Sequence, residues 1–333
     1  MKKALFLCDA PENIRKVYGD GGIASLASAY EFLSPDPVSG KELASSGGKY
    51  AGCEFVFSTW GMPALSKEEI ERELPCLKAV FYGAGSVQAF ARPFLEKGIR
   101  VFSAWAANAV PVAEYALSAI LLANKGFFAC LPEKRDRAAA LRVFRTYRGN
   151  YGEKVGLLGL GMVGREVARL LLPYRLEVLY YDPFFDRSRE EEFGVRPASL
   201  EEIFSTCGVI SNHIANLPAT VGMLDYALFS RMRPTAFFLN TGRGAQVVED
   251  DLVRALKEVP TRTALLDVTM PEPPLPNHPF YGMENVLLTP HIAGSAGDEC
   301  LRMGEYMIEE ARAFAAGEPA KWEVSMKMLE TMA

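Results

Sequence analysis

Residues 159–164 read Gly-Leu-Gly-Met-Val-Gly and stand between a short apolar run and a segment with helical spacing of apolar residues. The run before them, 155–158, is typical of a buried strand, and Val163, Val167 and Leu170 lie on one face of a helix. Glycines in this context let the backbone turn tightly and approach a pyrophosphate, while free N–H groups at the helix start face the phosphates. The pattern predicts a dinucleotide-binding turn formed by Gly159, Gly161, Met162, Val163 and Gly164.

An acidic residue completes this pattern. Asp182 ends the next apolar run, 178–181, and follows the last glycine by 18 residues. A carboxylate there can accept hydrogen bonds from ribose hydroxyls and would repel a 2′-phosphate. The sequence therefore predicts NAD as the cofactor. Arg187 and Arg189 could bind the extra phosphate of NADP, but Pro183 directs the chain away before them.

The position of the turn indicates how the domains are organised. About 150 of the 333 residues precede it, and the first hundred alternate strand and helix signals, which favours a parallel sheet flanked by helices. The alternation resumes after the turn, and the last helical pattern, 297–316, is free to return to the first domain. We expect an α/β protein with two doubly wound parallel-sheet domains. A Rossmann NAD-binding domain, residues 108–293, is inserted into a flavodoxin-like substrate domain, residues 1–107 plus 294–333.

Composition excludes several other classes. The net charge of −5 without a long basic run argues against nucleic-acid binding. The six cysteines are scattered and contain no C-x-x-C pair, so we expect reduced thiols in the cytoplasm and no metal site. The apolar residues 4–8 are too few for a signal-peptide core. The most apolar stretch, 110–123, contains Pro111 and Glu114 and is too short for a bilayer, so no membrane partner is expected.

Polar residues end the successive strands of the second domain. The strand signals near 180, 210, 238, 265 and 287 are each followed by a residue that can bind or react. In an open parallel sheet, ligands lie beyond the carboxyl ends of the strands. We therefore expect five side chains to gather along one edge: Asp182, His213, Asn240, Asp267 and His291.

Three of the residues near this edge suit hydride transfer to a 2-oxo acid. The reaction needs a cation for the carboxylate and carbonyl, a proton donor for the developing alkoxide, and an anion that keeps the donor protonated. His291 follows a strand and precedes a glycine, and Glu272 lies in a stiff proline-rich loop, so we expect them to be donor and orienting acid. Arg243, between two glycines, can bind a carboxylate in a fork geometry. His213 is expected in the cofactor pocket, and His278 is expected to be structural.

Four motifs in this order resemble the D-isomer-specific 2-hydroxyacid dehydrogenase family. They are the glycine turn with Asp182-Pro183, Asn240-Thr241-Gly242-Arg243-Gly244, Asp267-Val268 followed by Glu272-Pro273, and Thr289-Pro290-His291-Ile292-Ala293-Gly294. The resemblance covers nearly the whole chain, including residues 109–114.

The resemblance implies a role for each motif. It implies that Arg243 binds the substrate carboxylate and carbonyl, that His291 is the acid/base, and that Glu272 is its partner. It also implies that Asp267 contacts the nicotinamide side and that Thr241 lines the cofactor pocket. Backbone N–H groups around Ala84 and Gly85 would hold the carboxylate from the other domain, and the protein would be a homodimer.

Two departures make the acid substrate uncertain. The family commonly has an aspartate where Val87 stands, and the run from His213 to Thr220 is two residues longer than usual. Phosphite oxidation uses the same three residue types and stays open, as does a phosphoglycerate dehydrogenase without a regulatory domain. A formate dehydrogenase would carry an amide at Glu272 and is disfavoured. A non-catalytic, NAD-responsive binding protein resembling corepressors is the alternative from a different class.

Overall fold

The structure is a computed structural model that describes residues 1–330. The chain divides into two compact units: unit 1 contains residues 1–108 and the segment from Ser295 onward, and unit 2 contains residues 109–294. These bounds differ by one residue from those expected from the sequence. The chain passes from one unit to the other twice.

The strands and helices alternate along most of the chain. The strands are β1 Lys3–Phe6, β2 Glu31–Phe32, β3 Phe55–Ser58, β4 Ala79–Tyr82, β5 Arg100–Ser103, β6 Tyr151–Leu158, β7 Arg175–Tyr181, β8 Val195–Pro197, β9 Val209–Asn212, β10 Phe237–Asn240, β11 Thr263–Leu266, β12 Val286–Leu288 and β13 Glu323–Val324. The helices are α1 Glu12–Ala29, α2 Gly40–Ala44, α3 Lys67–Glu73, α4 Ala91–Glu96, α5 Trp105–Asn124, α6 Phe127–Cys130, α7 Arg137–Phe144, α8 Met162–Leu171, α9 Glu190–Phe193, α10 Leu200–Thr206, α11 Tyr226–Phe229, α12 Glu249–Glu258 and α13 Glu299–Ala316.

Unit 1 contains a six-stranded sheet in the order β13-β5-β4-β3-β1-β2. The strands pair in parallel except β13, which lies antiparallel to β5. The order β2-β1-β3-β4-β5 is the flavodoxin-like one. Every residue of β3 and β4 is buried, because helices cover both faces of a parallel sheet.

Unit 2 contains a seven-stranded parallel sheet in the order β12-β11-β10-β9-β6-β7-β8. Counted from β6, this is the 3-2-1-4-5-6 order of the Rossmann fold with one more strand at the edge. Strands β9, β10 and β11 are buried along their whole length. The predicted fold class, two doubly wound parallel sheets with a Rossmann domain inserted into a flavodoxin-like one, is confirmed.

Three helices differ from the sequence expectation. Helix α1 was not predicted; its glycines interrupt the helical pattern, and Gly19 has a φ of 59° at a kink. Helix α5 starts at Trp105 and contains Pro111 in its interior rather than in its first turn. Helix α4 begins at Ala91, four residues later than the apolar pattern suggests.

Helix α5 is longer than its apolar stretch suggested. It has 20 residues and is long and apolar enough to cross a membrane by length and composition, and half of its most apolar window is buried in the structure. The expectation that this segment is too short is therefore wrong. Ala113, Ala116 and Ile120 belong to the core of unit 2, as expected of a helix that covers a sheet. The absence of a membrane partner stays a prediction.

Helices α1 and α13 approach closely in unit 1, and the contact depends on one glycine. A Cβ at Gly304 would lie 2.3 Å from the carbonyl oxygen of Val17 and 2.9 Å from Cα of Tyr18. No side chain can be accommodated there without moving a helix. A Cβ at Gly21, which is also helical, would have no atom within 4 Å.

These two glycines give opposite predictions for the same substitution. Gly304→Ala should lower the free energy of unfolding by about 2 kcal/mol, because overpacking a closed contact displaces backbone. Gly21→Ala should raise it by up to about 1 kcal/mol, because alanine is the better helix former. Urea unfolding followed by circular dichroism measures both. Equal effects of the two variants would contradict the close helix contact.

Candidate active site

The candidate residues of unit 2 lie along one edge because the strands end in register. Leu158 of β6 pairs with Tyr181 and with Asn212, and Asn240 pairs with Asn212 and with Leu266. The row continues through Leu288 of β12. The next residue of each strand therefore emerges at the same edge: Gly159, Asp182, His213, Thr241, Asp267 and Thr289. Of the five side chains expected at this edge, Asp182, His213 and Asp267 emerge there, whereas Asn240 is the last residue of β10 and His291 follows Thr289 by two residues.

The glycine turn between β6 and α8 is closed to side chains at Gly159 and Gly164 and open at Gly161. Gly159 has a φ of 86°, and a Cβ there would lie 2.8 Å from the carbonyl oxygen of His213. A Cβ at Gly164 would lie 2.0 Å from the carbonyl oxygen of Gly159. Gly161 is exposed, and a Cβ there would meet open space. The turn is thus compact beneath α8 and open at Gly161, which fits a pyrophosphate resting on the helix start.

The first turn of α8 offers the donors for that group. Met162 and Val163 are half-buried residues of this turn. The N–H groups of a first helical turn have no partner within their own helix. With the positive end of the helix dipole, they suit a dinucleotide phosphate.

Asp182 holds the glycine turn to the strand beside it. Its Oδ2 accepts a hydrogen bond from Leu160 N at 2.7 Å, and its Oδ1 accepts one from Phe184 N at 2.8 Å. Each oxygen keeps a further lone pair for a ligand. A cavity of about 520 Å³ adjoins Asp182 and is also lined by Tyr181, Pro183 and Arg187. The residues present therefore fit the adenosine half of a dinucleotide.

His213 is a neutral member of the edge. Its Nε2 lies 2.8 Å from Oγ of Ser211, and its Nδ1 lies 3.2 Å from Oγ1 of Thr241. Burial lowers the pKa of His213 to about 4. The imidazole is therefore uncharged near pH 7, which suits a pocket wall and not an acid catalyst. Thr241 and His213 are brought together, as the predicted cofactor pocket requires.

His291 and Glu272 form a directly hydrogen-bonded pair. Nδ1 of His291 lies 2.7 Å from Oε1 of Glu272, with the side chains 48% and 41% exposed. Solvent or a ligand can therefore reach the ring. His291 has a φ of 55°, a left-handed conformation that costs a non-glycine residue about 1 kcal/mol and is concentrated at functional sites. The carboxylate orients the ring so that Nε2 is the free nitrogen.

Asp267 holds the loop that carries His291. Its Oδ1 accepts hydrogen bonds from Oγ1 of Thr289 at 2.6 Å and from Ile292 N at 2.8 Å, and its Oδ2 accepts one from Ala293 N at 3.0 Å. Its own carbonyl accepts from His291 N at 3.1 Å. The residue is 2% exposed. These contacts stabilise the left-handed turn at His291; the nicotinamide contact implied by the resemblance stays a prediction.

Arg243 is held by a network of three buried amide side chains. Nδ2 of Asn212 donates to Oδ1 of Asn240 at 2.9 Å and to Oε1 of Gln246 at 2.7 Å. The backbone N–H of Arg243 donates to Oε1 of Gln246 at 3.1 Å, and Nδ2 of Asn240 donates to the carbonyl of Arg243 at 3.2 Å. Both backbone polar groups of Arg243 are therefore fixed by buried side chains.

The Arg243 side chain lies in a partly desolvated place. It is half-buried, and its Nη1 donates to the carbonyl of Gly242 at 2.8 Å. Burial lowers the pKa of Arg243, and the negative charge of Glu272 opposes that effect. The guanidinium, which stays charged, thus lies within the electrostatic reach of the carboxylate that pairs with His291. In unit 2 the structure joins Glu272 to His291 and places Arg243 within the electrostatic reach of Glu272.

Ala84 and Gly85 lie in unit 1, in the loop after β4. Oγ of Ser103 donates to the carbonyl of Ala84 at 2.8 Å and to that of Gly85 at 2.6 Å. Oγ1 of Thr59 donates to the carbonyl of Gly83 at 2.9 Å. The carbonyls of this loop are therefore used inside unit 1, and within residues 1–330 the N–H groups of Gly85 and Ser86 make no hydrogen bond. Free N–H groups suit a carboxylate.

Sequence reasoning missed several residues that shape the site. Asn212 and Gln246 belong to the amide network, and the hydroxyl of Tyr115 lies 3.1 Å from Oγ1 of Thr289. Glu249 bonds the loop of Glu272 through Met270 N at 2.8 Å. The sequence signal that could have identified Asn212 is an amide residue at the end of an apolar strand. In the part of the chain that the structure describes, no group of three His, Cys, Asp or Glu is placed to hold a metal ion.

Comparison with known proteins shows which class of protein this chain is similar to. The family model "D-isomer specific 2-hydroxyacid dehydrogenase, NAD binding domain" matches residues 118–293. The chain is 28% identical over 289 residues to a D-3-phosphoglycerate dehydrogenase of Archaeoglobus fulgidus, covering 80% of this chain and 55% of that protein. It is 36% identical over 168 residues to a glyoxylate reductase of Korarchaeum cryptofilum, covering 50% and 51%. The matches thus span about half the length of these curated relatives.

Solved structures share the fold across both units. A phosphoglycerate oxidoreductase from Rhizobium etli has a TM-score of 0.79 at 24% identity, covering 99% of this chain and 100% of that one. An NAD complex of a D-isomer specific 2-hydroxyacid dehydrogenase from Lactobacillus delbrueckii has a TM-score of 0.78 at 17% identity, covering 97% and 100%. At these identities the likeness concerns the fold.

The chain belongs to the D-isomer specific 2-hydroxyacid dehydrogenase family. The matched region is the family's NAD-binding domain and contains the glycine turn, Asp182 and the strand-end edge. NAD(H) is therefore the cofactor. The geometry of Gly159, Gly161, Gly164 and Asp182 fits this group.

Gly161→Ala separates cofactor binding from folding. The added Cβ would meet no atom of the protein, so the melting temperature should change by less than about 2 °C, within the range of a neutral surface substitution. The same Cβ would stand where the backbone must approach the pyrophosphate, so NADH affinity should fall about tenfold or more, which is about 1.4 kcal/mol. Fluorescence titration with NADH measures this loss. An unchanged dissociation constant would remove Gly161 from the phosphate site.

Proposed function

We propose that the protein is an NAD-dependent D-2-hydroxyacid dehydrogenase that reduces a small 2-oxo acid. The observation that supports this most is the joint placement of Arg243, Glu272 and His291 beside the NAD-binding edge, with Nδ1 of His291 bonded to Glu272 at 2.7 Å. A cation, a carboxylate and a reachable imidazole are the three groups that the reaction needs. Family membership supports the same reaction class.

Each residue has a defined part in the proposed reaction. NADH, when bound, would supply the hydride for the carbonyl carbon. Arg243 binds the substrate carboxylate and polarises the carbonyl oxygen, where negative charge develops. Nε2 of His291 gives its proton to that oxygen, so the products are a 2-hydroxy acid, NAD⁺ and a neutral imidazole. Glu272 stabilises the protonated ring before transfer.

Cofactor preference and substrate binding extend this proposal. We propose that Asp182 favours NADH over NADPH, because its carboxylate would repel a 2′-phosphate. The N–H of Ala84 already donates to the carbonyl of Tyr82, so the free N–H groups of Gly85 and Ser86 are proposed to bind the substrate carboxylate. All six cysteines are free, which supports a reducing, cytoplasmic location. No nucleic-acid partner is proposed.

A panel of 2-oxo acids tests the activity. NADH oxidation should be measured with glyoxylate, hydroxypyruvate, pyruvate, branched and aromatic 2-oxo acids and phosphohydroxypyruvate, and repeated with NADPH. We expect one acid to be preferred, and kcat/KM to be higher with NADH than with NADPH. His291→Gln should lower kcat by about 10²-fold or more, the usual contribution of a general acid.

The outcomes of the panel separate the alternatives. Turnover of phosphite with NAD⁺, and none of any 2-oxo acid, would assign a phosphite-type dehydrogenase. Tight NADH binding without turnover of any acid or of phosphite would favour a nucleotide-responsive binding protein. A His291→Gln enzyme as fast as the wild type would remove His291 as the proton donor.

We also propose that the protein is a homodimer through unit 2. Exposed apolar side chains are concentrated between residues 122 and 151. Monomeric proteins rarely expose so many large apolar side chains together. The exposed fractions are 41% for Leu122, 46% for Phe127, 40% for Leu131, 39% for Leu141, 43% for Phe144 and 71% for Tyr151. A second copy would cover this surface on α6, α7 and the adjoining segments.

Sedimentation velocity tests the dimer. The wild type should sediment with about twice the chain mass, and Phe127→Glu with Phe144→Glu should shift it to the monomer, because buried charges without partners are costly. Phe184→Glu is the matched control, since Phe184 is 79% exposed and lies outside the apolar segment. A monomeric wild type, or a double variant that stays dimeric, would contradict this interface.

A further inference from the structure

One carboxylate outside the reacting trio contacts both ends of the loop that carries Glu272. Glu249 is the first residue of α12, six residues after Arg243. Its Oε1 accepts a hydrogen bond from Met270 N at 2.8 Å, and its Oε2 lies 3.3 Å from Nε2 of His278. The side chains of Glu249 and His278 are only 12% and 14% exposed. The bond to Met270 lies two residues before Glu272, and the bond to His278 lies six residues after it.

The contacts of its two ring nitrogens indicate how the side chain of His278 is oriented. Nδ1 accepts from Phe280 N at 3.3 Å, so this nitrogen carries no proton in that arrangement. Nε2 is then the nitrogen that faces Glu249, 3.3 Å from its Oε2. The ring also packs against Phe280, with centroids 4.4 Å apart, and Phe280 is 1% exposed. His278 is thus held between Glu249 and the core of unit 2.

Because Glu249 is largely buried, its carboxylate depends on the polar groups of Met270 and His278 that face it. Burial raises the pKa of Glu249, and the charge of Asp250 acts in the same direction. The hydrogen bond from Met270 opposes this effect. A buried carboxylate is stable only when it is hydrogen-bonded. Folding therefore favours the loop position in which both donors reach Glu249.

The segment of Arg243 and the loop of Glu272 also touch directly. A Cβ at Gly244 would lie 2.0 Å from the carbonyl carbon of Thr269 and 2.5 Å from Met270 N. The backbones are therefore in van der Waals contact one residue after Arg243. This contact fixes the distance between the Arg243 segment and the Glu272 loop. The hydrogen bond from Met270 N to Glu249 fixes the orientation of the loop relative to that segment.

We propose that Glu249 and His278 are a positioning pair, which holds the Glu272 loop against the Arg243 segment and thereby sets the geometry of the Glu272–His291 bond. Neither residue touches the reacting atoms; the pair acts through Glu272. The expected effect of the pair on kcat rests on the proposed dehydrogenase function. Its expected effect on the geometry of His291 does not.

Glu249→Gln tests the pair with little change of shape. If its amide oxygen accepts from Met270, its amide nitrogen faces the Nε2–H of His278, and two donors cannot pair. We expect kcat to fall about tenfold or more, because small displacements of catalytic groups are costly. NADH affinity should be unchanged. Asp250→Asn is the matched control, because it removes a neighbouring exposed charge in the same helical turn.

A spectroscopic readout does not depend on turnover. The chain has three histidines, so long-range ¹H–¹⁵N spectra should resolve all six ring nitrogens. In the wild type, His278 should show a protonated Nε2 and an unprotonated Nδ1. Glu249→Gln should move the ring signals of both His278 and His291, and Asp250→Asn should leave His291 in place. Unmoved His291 signals in Glu249→Gln would overturn the positioning role.

Two variants of His278 keep the proposal testable if Glu249→Gln does not fold. His278→Gln keeps a donor for Glu249, whereas His278→Leu removes it. We expect His278→Gln to retain the His291 signals of the wild type more closely than His278→Leu does. Equal displacement in both would overturn the role of the Glu249–His278 bond. If the wild type reduces no 2-oxo acid, the proposed function fails, and the histidine spectra still decide the positioning inference.

Discussion

The shared register of the parallel strands in unit 2 is the constraint on which the site depends. Because β6, β7, β9, β10, β11 and β12 end on one row, the backbone leaves the sheet at one edge six times. A slip of one residue in any strand would turn its side chains to the opposite face. The in-register core thus places residues up to 130 positions apart in sequence, such as Gly159 and Thr289, at the same edge.

The strand-end rule made much of the site predictable. An apolar run followed by a polar residue is a local signal, and it correctly placed Asp182, His213 and Asp267 along the edge; Asn240 lies one residue earlier, as the last residue of β10. The fold class followed from the same alternation. The Glu272–His291 pairing was a chemical expectation, because an imidazole that must stay protonated needs an acid, and the structure joins the two at 2.7 Å.

The parts that were not predictable depend on tertiary partners. Helix α1 has too many glycines for a helical signal, and it is held by α13 from the far end of the chain through Gly304. Asn212 and Gln246 are separated by 34 residues, and nothing local marks either as a partner of Arg243. Glu249 reads as an ordinary acid in the first turn of a helix. Its role emerges when Met270 and His278 are placed against it.

The carboxylates of unit 2 divide into two groups by exposure, and this division explains the arrangement of the site. Asp267 is 2% exposed and Glu249 has a side chain that is 12% exposed, and each bonds to the backbone of a site loop. Glu272, by contrast, is 41% exposed and bonds to His291. A buried carboxylate requires several donors, so it fixes a loop at a defined position. An exposed one stays accessible to solvent. The Glu272–His291 pair is thus reachable by a ligand, while buried carboxylates bond the backbone of the loops that carry it.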